Sequence, residues 1–139
     1  MSSDAAEKMR FEGKAVSAAM KLGGSLEDKE AAPFLDRLYN EWKELAIPLA
    51  STEAWLSKRL GGTFKCIGST PVWIEDEPAW PFIDGKPMVF LSQCSHPKEG
   101  SLSSELSAGE TVYLFAGRRT TNGKTRMEYR TVSQFEKGY

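Results

Sequence analysis

The chain has 139 residues, of which 18 are basic and 19 acidic, for a net charge of -1. That length is about one domain, long enough to bury a core without a disulfide or a metal. A near balance of charge argues against a dedicated nucleic-acid binder, 40% hydrophobic with 27% charged residues argues against disorder, and no run approaches the roughly 20 apolar residues of a membrane span.

The first residues, MSSDAAEKMRFEGK, hold no apolar stretch, so no secretory signal is expected and the expected location is the cytoplasm. Asp4 is placed to cap a helix over residues 5–22, with Glu7 early and Lys21 late as the helix dipole favours. Ala5, Met9, Val16 and Met20 form its apolar stripe. The stripe is thin and crossed by Gly13, which suggests a mobile helix or one docked on something else. Gly23 and Gly24 end it.

A stronger stripe follows. Leu35, Leu38, Trp42, Leu45 and Leu49 recur at alternating steps of three and four, opened by Pro33 and closed or kinked by Pro48. Such a stripe serves either a partner or the chain's own core, and packing onto the sheet is the preferred reading. Ser51 or Thr52 then caps a short helix through Leu60, with Trp55, Leu56 and Leu60 apolar, stopped by Gly61 and Gly62.

Beyond Gly62 the pattern becomes extended. Residues 63–67 alternate as a strand does. Residues 68–87 carry Pro71, Pro78, Pro81 and Pro87 with the turn pair Asp84-Gly85, which predicts extended, turn-broken chain. Residues 87–93 read as a strand, and a polar loop runs from Cys94 to about Glu110. Residues 111–117 and 126–132 flank Asn122-Gly123, the favoured pair for a two-residue hairpin turn. That turn sets Phe115 opposite Arg130 and Ala116 opposite Tyr129. One face then holds Leu114, Ala116, Met127 and Tyr129. The other holds Tyr113, Phe115, Glu128, Arg130 and Val132, an amphipathic set suited to a sheet margin or a binding surface.

Chemistry-bearing residues are few. Cys66 and Cys94 stand 28 residues apart, which fits neither a zinc site nor a redox pair, and both are expected reduced and partly buried. Cys94 and the single histidine, His96, are either a thiol–imidazole pair or chance neighbours in a loop; nothing nearby marks an oxyanion site or an orienting group. Phosphate-binding glycine loops and the nucleophile-elbow motif are missing from the sequence. No catalytic residue, cofactor or metal site is therefore assigned.

Charge is segregated along the chain. Residues 61–111 carry three basic and seven acidic side chains, and residues 112–139 carry six and two. The acids concentrate at Glu75, Asp76 and Glu77, next to Trp73 and Trp80 and ahead of Asp84. Acids interleaved with exposed tryptophan suit a docking surface for a basic partner; the plain alternative is a solvated loop. Arg118, Arg119, Lys124, Arg126 and Arg130 make the hairpin basic. Without aromatic RNA-binding motifs beside them, solvation or pairing with the acidic segment is preferred over phosphate contact.

Gly68, Pro71 and Trp73, then Trp80-Pro81, then the run Asp84-Gly85-Lys86-Pro87-Met88 with Phe90, Leu91 and Gln93, resemble the YwqG-like family of bacterial proteins, a domain of unknown function. The resemblance spans about residues 63–132, in shortened form and behind a long helical N-terminus. Small proteins similar to this family occur among bacterial immunity proteins encoded beside secreted toxins, and the resemblance implies that role by analogy.

The resulting expectation is a single α+β domain over residues 1–139. Helices in residues 1–60 pack on a small antiparallel sheet with a C-terminal hairpin in residues 61–139. Its expected function is non-enzymatic binding of a cognate toxin through Trp73, Glu75, Asp76, Glu77, Trp80 and Asp84, without nucleic acid or membrane, as a monomer or weak dimer. The alternatives are a small-molecule-binding or enzymatic domain with a pocket near Trp73, Trp80 and Gln93, and an accessory subunit that dimerises through the helical stripe.

Overall fold

The computed structural model describes residues 3–95 and 109–136. Three helices, α1 (Ser3–Lys21), α2 (Ala32–Glu44) and α3 (Thr52–Leu60), precede five strands: β1 (Phe82–Ile83), β2 (Lys86–Pro87), β3 (Val89–Ser95), β4 (Glu110–Thr121) and β5 (Lys124–Phe135). β1 and β2 form a two-stranded antiparallel sheet, and β3-β4-β5 form a three-stranded antiparallel one. The fold is α+β, as the order of the patterns predicts. Helices and sheets share one core, from Phe11 and Ala15 through Leu38 and Leu56 to Phe90, Tyr113 and Phe115. Among the described residues no helix is long and apolar enough to cross a membrane.

α1 is found almost where expected, but with another face inward. Phe11, Ala15, Ala18 and Ala19 are buried, whereas Met9 is exposed. Small side chains let α2 and α3 approach the helix closely, and Phe11 fills the space between Tyr39, Trp42 and Trp55, with its ring centroid 5.0 Å from that of Trp42. The helix is thus not docked elsewhere; it packs on α2 and α3. The Gly23 and Gly24 amides close it on the carbonyls of Met20 and Ala19, both at 3.0 Å, with Gly23 at φ 82°. Gly24 also has a packing role: a Cβ there would fall 2.5 Å from the Phe64 ring.

The α2 stripe is interior at Leu38 and Trp42, while Leu35 is half-buried and Phe34, which the stripe does not include, is buried. It stops at Trp42, because the helix ends at Glu44 and Ala46 turns left-handed at φ 50°, two residues before Pro48. Leu45 and Leu49 are exposed as a result. The dimer seam drawn through all five residues is corrected accordingly, since its central residues are spent on the core. Thr52 opens α3 but is not used as its side-chain cap. Its buried hydroxyl accepts from Trp42 Nε1 at 3.0 Å and donates to the Pro48 carbonyl at 3.1 Å, which joins α2 to α3.

The strand expected at residues 63–67 contracts to one parallel bridge between Cys66 and Phe90. Phe90 N–H reaches the Lys65 carbonyl at 2.9 Å, and Ile67 N–H reaches the Phe90 carbonyl at 3.0 Å. The hairpin, by contrast, has the predicted register: Phe115 faces Arg130 and Ala116 faces Tyr129. Asn122 and Gly123 take φ 52° and 76°, the left-handed pair that a type I′ turn requires. Asp84 and Gly85, at φ 49° and 70°, make the same turn between β1 and β2. β4 and β5 each run 12 residues, longer than the sequence indicated. Tyr113 and Phe115 define the inner face, while Met127 and Tyr129 point to the outer one.

Candidate functional site

Residues 72–83, the acidic tryptophan-bearing segment, are stitched to the rest of the protein by groups distant in sequence. From β4, the buried Tyr113 hydroxyl donates to the Val72 carbonyl at 2.7 Å and accepts from Ile74 N–H at 3.1 Å. From β5, buried Gln134 accepts from Glu75 N–H at 3.1 Å through Oε1 and donates to the Glu77 carbonyl at 2.9 Å through Nε2. Gln93 Oε1 accepts from Val72 N–H at 2.8 Å. The segment after α1 supplies the rest: Trp73 Nε1 donates to the Gly23 carbonyl at 2.7 Å, and Trp80 N–H donates to Ser25 Oγ at 2.8 Å. Burial pushes the Tyr113 phenol above its ordinary value, so it stays a neutral donor.

Held in this way, the segment turns its tryptophans inward and its carboxylates outward. Trp80 is only 2% exposed; its Nε1 donates to the Met88 carbonyl at 2.7 Å and its ring meets Phe115 and Phe64 edge-on at 5.1 Å. Trp73 is half-buried, with its ring centroid 4.5 Å from that of Tyr113. The expectation that these two rings are exposed contacts for a partner is therefore corrected. Of the pocket expected near Trp73, Trp80 and Gln93, only Trp80 lines a cleft; Trp73 is packed on Tyr113, and Gln93 is engaged by Val72 N–H. Extended chain beside a sheet needs an apolar side, and the two large rings supply it.

Glu75, Asp76 and Glu77 remain exposed. Glu75 and Glu77 line a cleft of about 400 Å³ between this segment, β5 and the start of the α2 region, where Glu27 and Asp28 join them. Arg130 is the one cation in that lining, and it is already held by Asp28 at 3.4 Å and Glu30 at 3.2 Å. Glu75 Oε2 accepts from Phe135 N–H at 3.0 Å, which fixes one carboxylate at the mouth. Among the described residues, no three His, Cys, Asp or Glu side chains lie close enough together to hold a metal ion. The four acids therefore make a broad negative field, not a point site.

Asp84 is not part of the cleft. It sits at the β1–β2 turn, accepting from Thr120 N–H at 3.2 Å and from Arg119 at 3.4 Å. The basic hairpin is thus partly consumed by internal pairing: Arg119 meets Glu30, Asp84 and Glu128, and Arg130 meets Asp28 and Glu30. Arg119 beside it is the first cause that holds the Glu30 carboxyl down at about 2. Cys66 is half-buried, its thiol pushed up by burial, whereas Cys94 is exposed, contrary to the expectation of partial burial; both are free thiols. His96 lies outside the described residues, and with it the Cys94–His96 pairing. Glu27, Asp28, Arg130 and Gln134 are the cleft residues that the sequence reading missed. The one available signal was the strand parity that places Arg130 and Gln134 on the Tyr113 side of the hairpin.

No protein-family model, no curated protein and no solved structure matches this chain.

Proposed function

We propose that this is a non-enzymatic, cytoplasmic immunity protein that neutralises a cognate toxin by direct binding, with the acidic cleft as the surface that receives a basic segment of the toxin. One observation carries the reading: Glu27, Glu75 and Glu77 converge on one cleft whose single cation, Arg130, is already paired with Asp28 and Glu30. Such a field attracts a basic partner and speeds its capture. The cleft is also pre-formed, because Tyr113 and Gln134 fix its wall through hydrogen bonds to main-chain groups, so little ordering is left to be done on binding. The resemblance of residues 63–132 to YwqG-like proteins supports the immunity role, and the exposed carboxylates keep the part that the sequence assigned to Glu75, Asp76 and Glu77.

The test is binding to the product of the neighbouring gene, measured by calorimetry at two salt concentrations. Glu27→Lys with Glu77→Lys reverses the field at two exposed positions without touching the core. The expected result is a micromolar or tighter complex that weakens with salt and loses about tenfold or more per reversed charge. No complex, or one indifferent to both salt and the double reversal, would count against the proposal.

A further inference from the structure

The three-stranded sheet has the core on one face, and its outer face carries an apolar strip bordered by Arg118, Thr120 and Thr125. On the outer face Val89, Leu91, Ala116, Met127 and Tyr129 floor a groove of about 800 Å³. Met127 is 49% and Tyr129 63% exposed. Outward positions of a sheet covered on one side are ordinarily polar, and a contiguous apolar patch there marks an interaction surface. The chain has no helix left to cover it among the described residues, since α1, α2 and α3 place Phe11, Leu38 and Leu56 in the core on the other side.

The dimensions of the groove suit one helix. Strands lie about 4.8 Å apart, so three of them offer a floor about 10 Å wide, the diameter of a helix with its side chains. From Thr125 to Tyr129 the floor runs about 13 Å along β5, or between two and three helical turns.

Charge decides which helix. Lys86 and Arg118 line the groove, and neither forms an ion pair among the described residues. The one carboxylate in the lining, Asp84, is already engaged by Arg119 and Thr120 N–H. A second copy of this face would set those free cations against themselves. A partner with acids beside its apolar stripe would pair with them.

We propose that the outer face of the sheet is a second docking site, for an amphipathic helix of a partner protein flanked by acidic residues. It is a helix-in-groove surface, read by apolar anchors three and four residues apart. It lies across the sheet from the acidic cleft and prefers the opposite charge, so the two sites take different segments and each stands or falls alone.

The experiment is a displayed library of random peptides, selected on the full chain and counter-selected on the Tyr129→Lys variant. Recovered peptides are then titrated by fluorescence anisotropy against the wild type and Arg118→Glu. The expected peptides are acidic and helical, with apolar residues at helical spacing. Their affinity should fall about tenfold or more on Arg118→Glu, and their binding should move the amide resonances of Leu91 and Ala116 but not those of Glu27 and Glu77. Arg118 is exposed and forms no ion pair among the described residues, so its replacement leaves the fold in place even if the Tyr129 variant is poorly behaved. Three results would overturn the proposal. One is the recovery of no peptide that depends on Tyr129 or Arg118. Another is a preference for basic or extended peptides. The third is a wild-type dimer in light scattering that Tyr129→Lys splits, which would make a second copy the occupant.

Discussion

Glu30 ties the helical half of the chain to the sheet, and replacing it with glutamine removes its charge while keeping its shape. Its Oε2 receives Arg119 Nη2 and Arg130 Nη2, each at 3.2 Å, and its Oε1 receives Asp84 N–H at 3.2 Å. Arg119 above all, helped by the Asp84 amide and Arg130, holds the carboxyl at about 2 against an ordinary 4.5. At about 1.4 kcal/mol per unit, a drop of that size corresponds to about 3 kcal/mol. The side chain is 26% exposed and its arginine partners slightly more so, and solvent screening brings the expected loss for Glu30→Gln near neutral pH to about 1–2 kcal/mol. The sign follows from linkage. The folded value lies below the unfolded one, so the stabilisation is whole above about pH 4.5 and disappears as the pH falls towards about 2. Urea unfolding followed by tryptophan fluorescence, at neutral pH and at steps down through that window, measures it. The wild type should exceed the variant by about 1–2 kcal/mol at neutral pH, with the gap closing through the window. A variant as stable as the wild type at neutral pH would refute the reasoning, as would a gap that stays undiminished at the acid end.

Gln134→Ala removes the side chain that holds both Glu75 N–H and the Glu77 carbonyl from a buried position, and the expected cost is about 2 kcal/mol in urea unfolding. Amide exchange at Glu75 should accelerate in the same variant before the strands are affected. Gly117→Ala brings a Cβ to 2.8 Å from Ile83 Cγ2 and 3.1 Å from Met88 Cγ, both on fully buried side chains, so a loss of about 1–2 kcal/mol is expected despite alanine's better strand propensity. Wild-type stability in that variant would mean that the β1–β2 sheet yields more readily than its packing implies.

Local chemistry made the hairpin register legible. Asn122-Gly123 permits one two-residue turn, and a two-residue turn fixes every cross-strand pair that follows. The inner face was another matter. Both faces of the hairpin carry aromatic and aliphatic residues, and the face with Arg130 and Glu128 reads as a sheet margin or a binding surface. It is nevertheless the inner one, because Asp28 and Glu30, about a hundred residues earlier, neutralise Arg119 and Arg130 at its rim while Tyr113 and Phe115 fill its centre. An arginine can face inward only where a carboxylate meets it, and no local pattern announces a carboxylate from another element. The acidic segment divides along the same line. Its carboxylates had to stay in water, so their exposure was readable from composition alone. Its tryptophans went to whatever apolar surface the fold presented, which depends on Gly24 lacking a side chain beside Phe64 and on Tyr113 and Gln134 reaching out from the sheet. Once those contacts turn the rings inward, Glu75 and Glu77 are the exposed charged groups that the segment brings to the cleft. A binding surface read from tryptophan and acid together therefore reduces to one read from charge, and charge reversal at Glu27 and Glu77, not truncation of Trp80, is the perturbation that separates binding from folding.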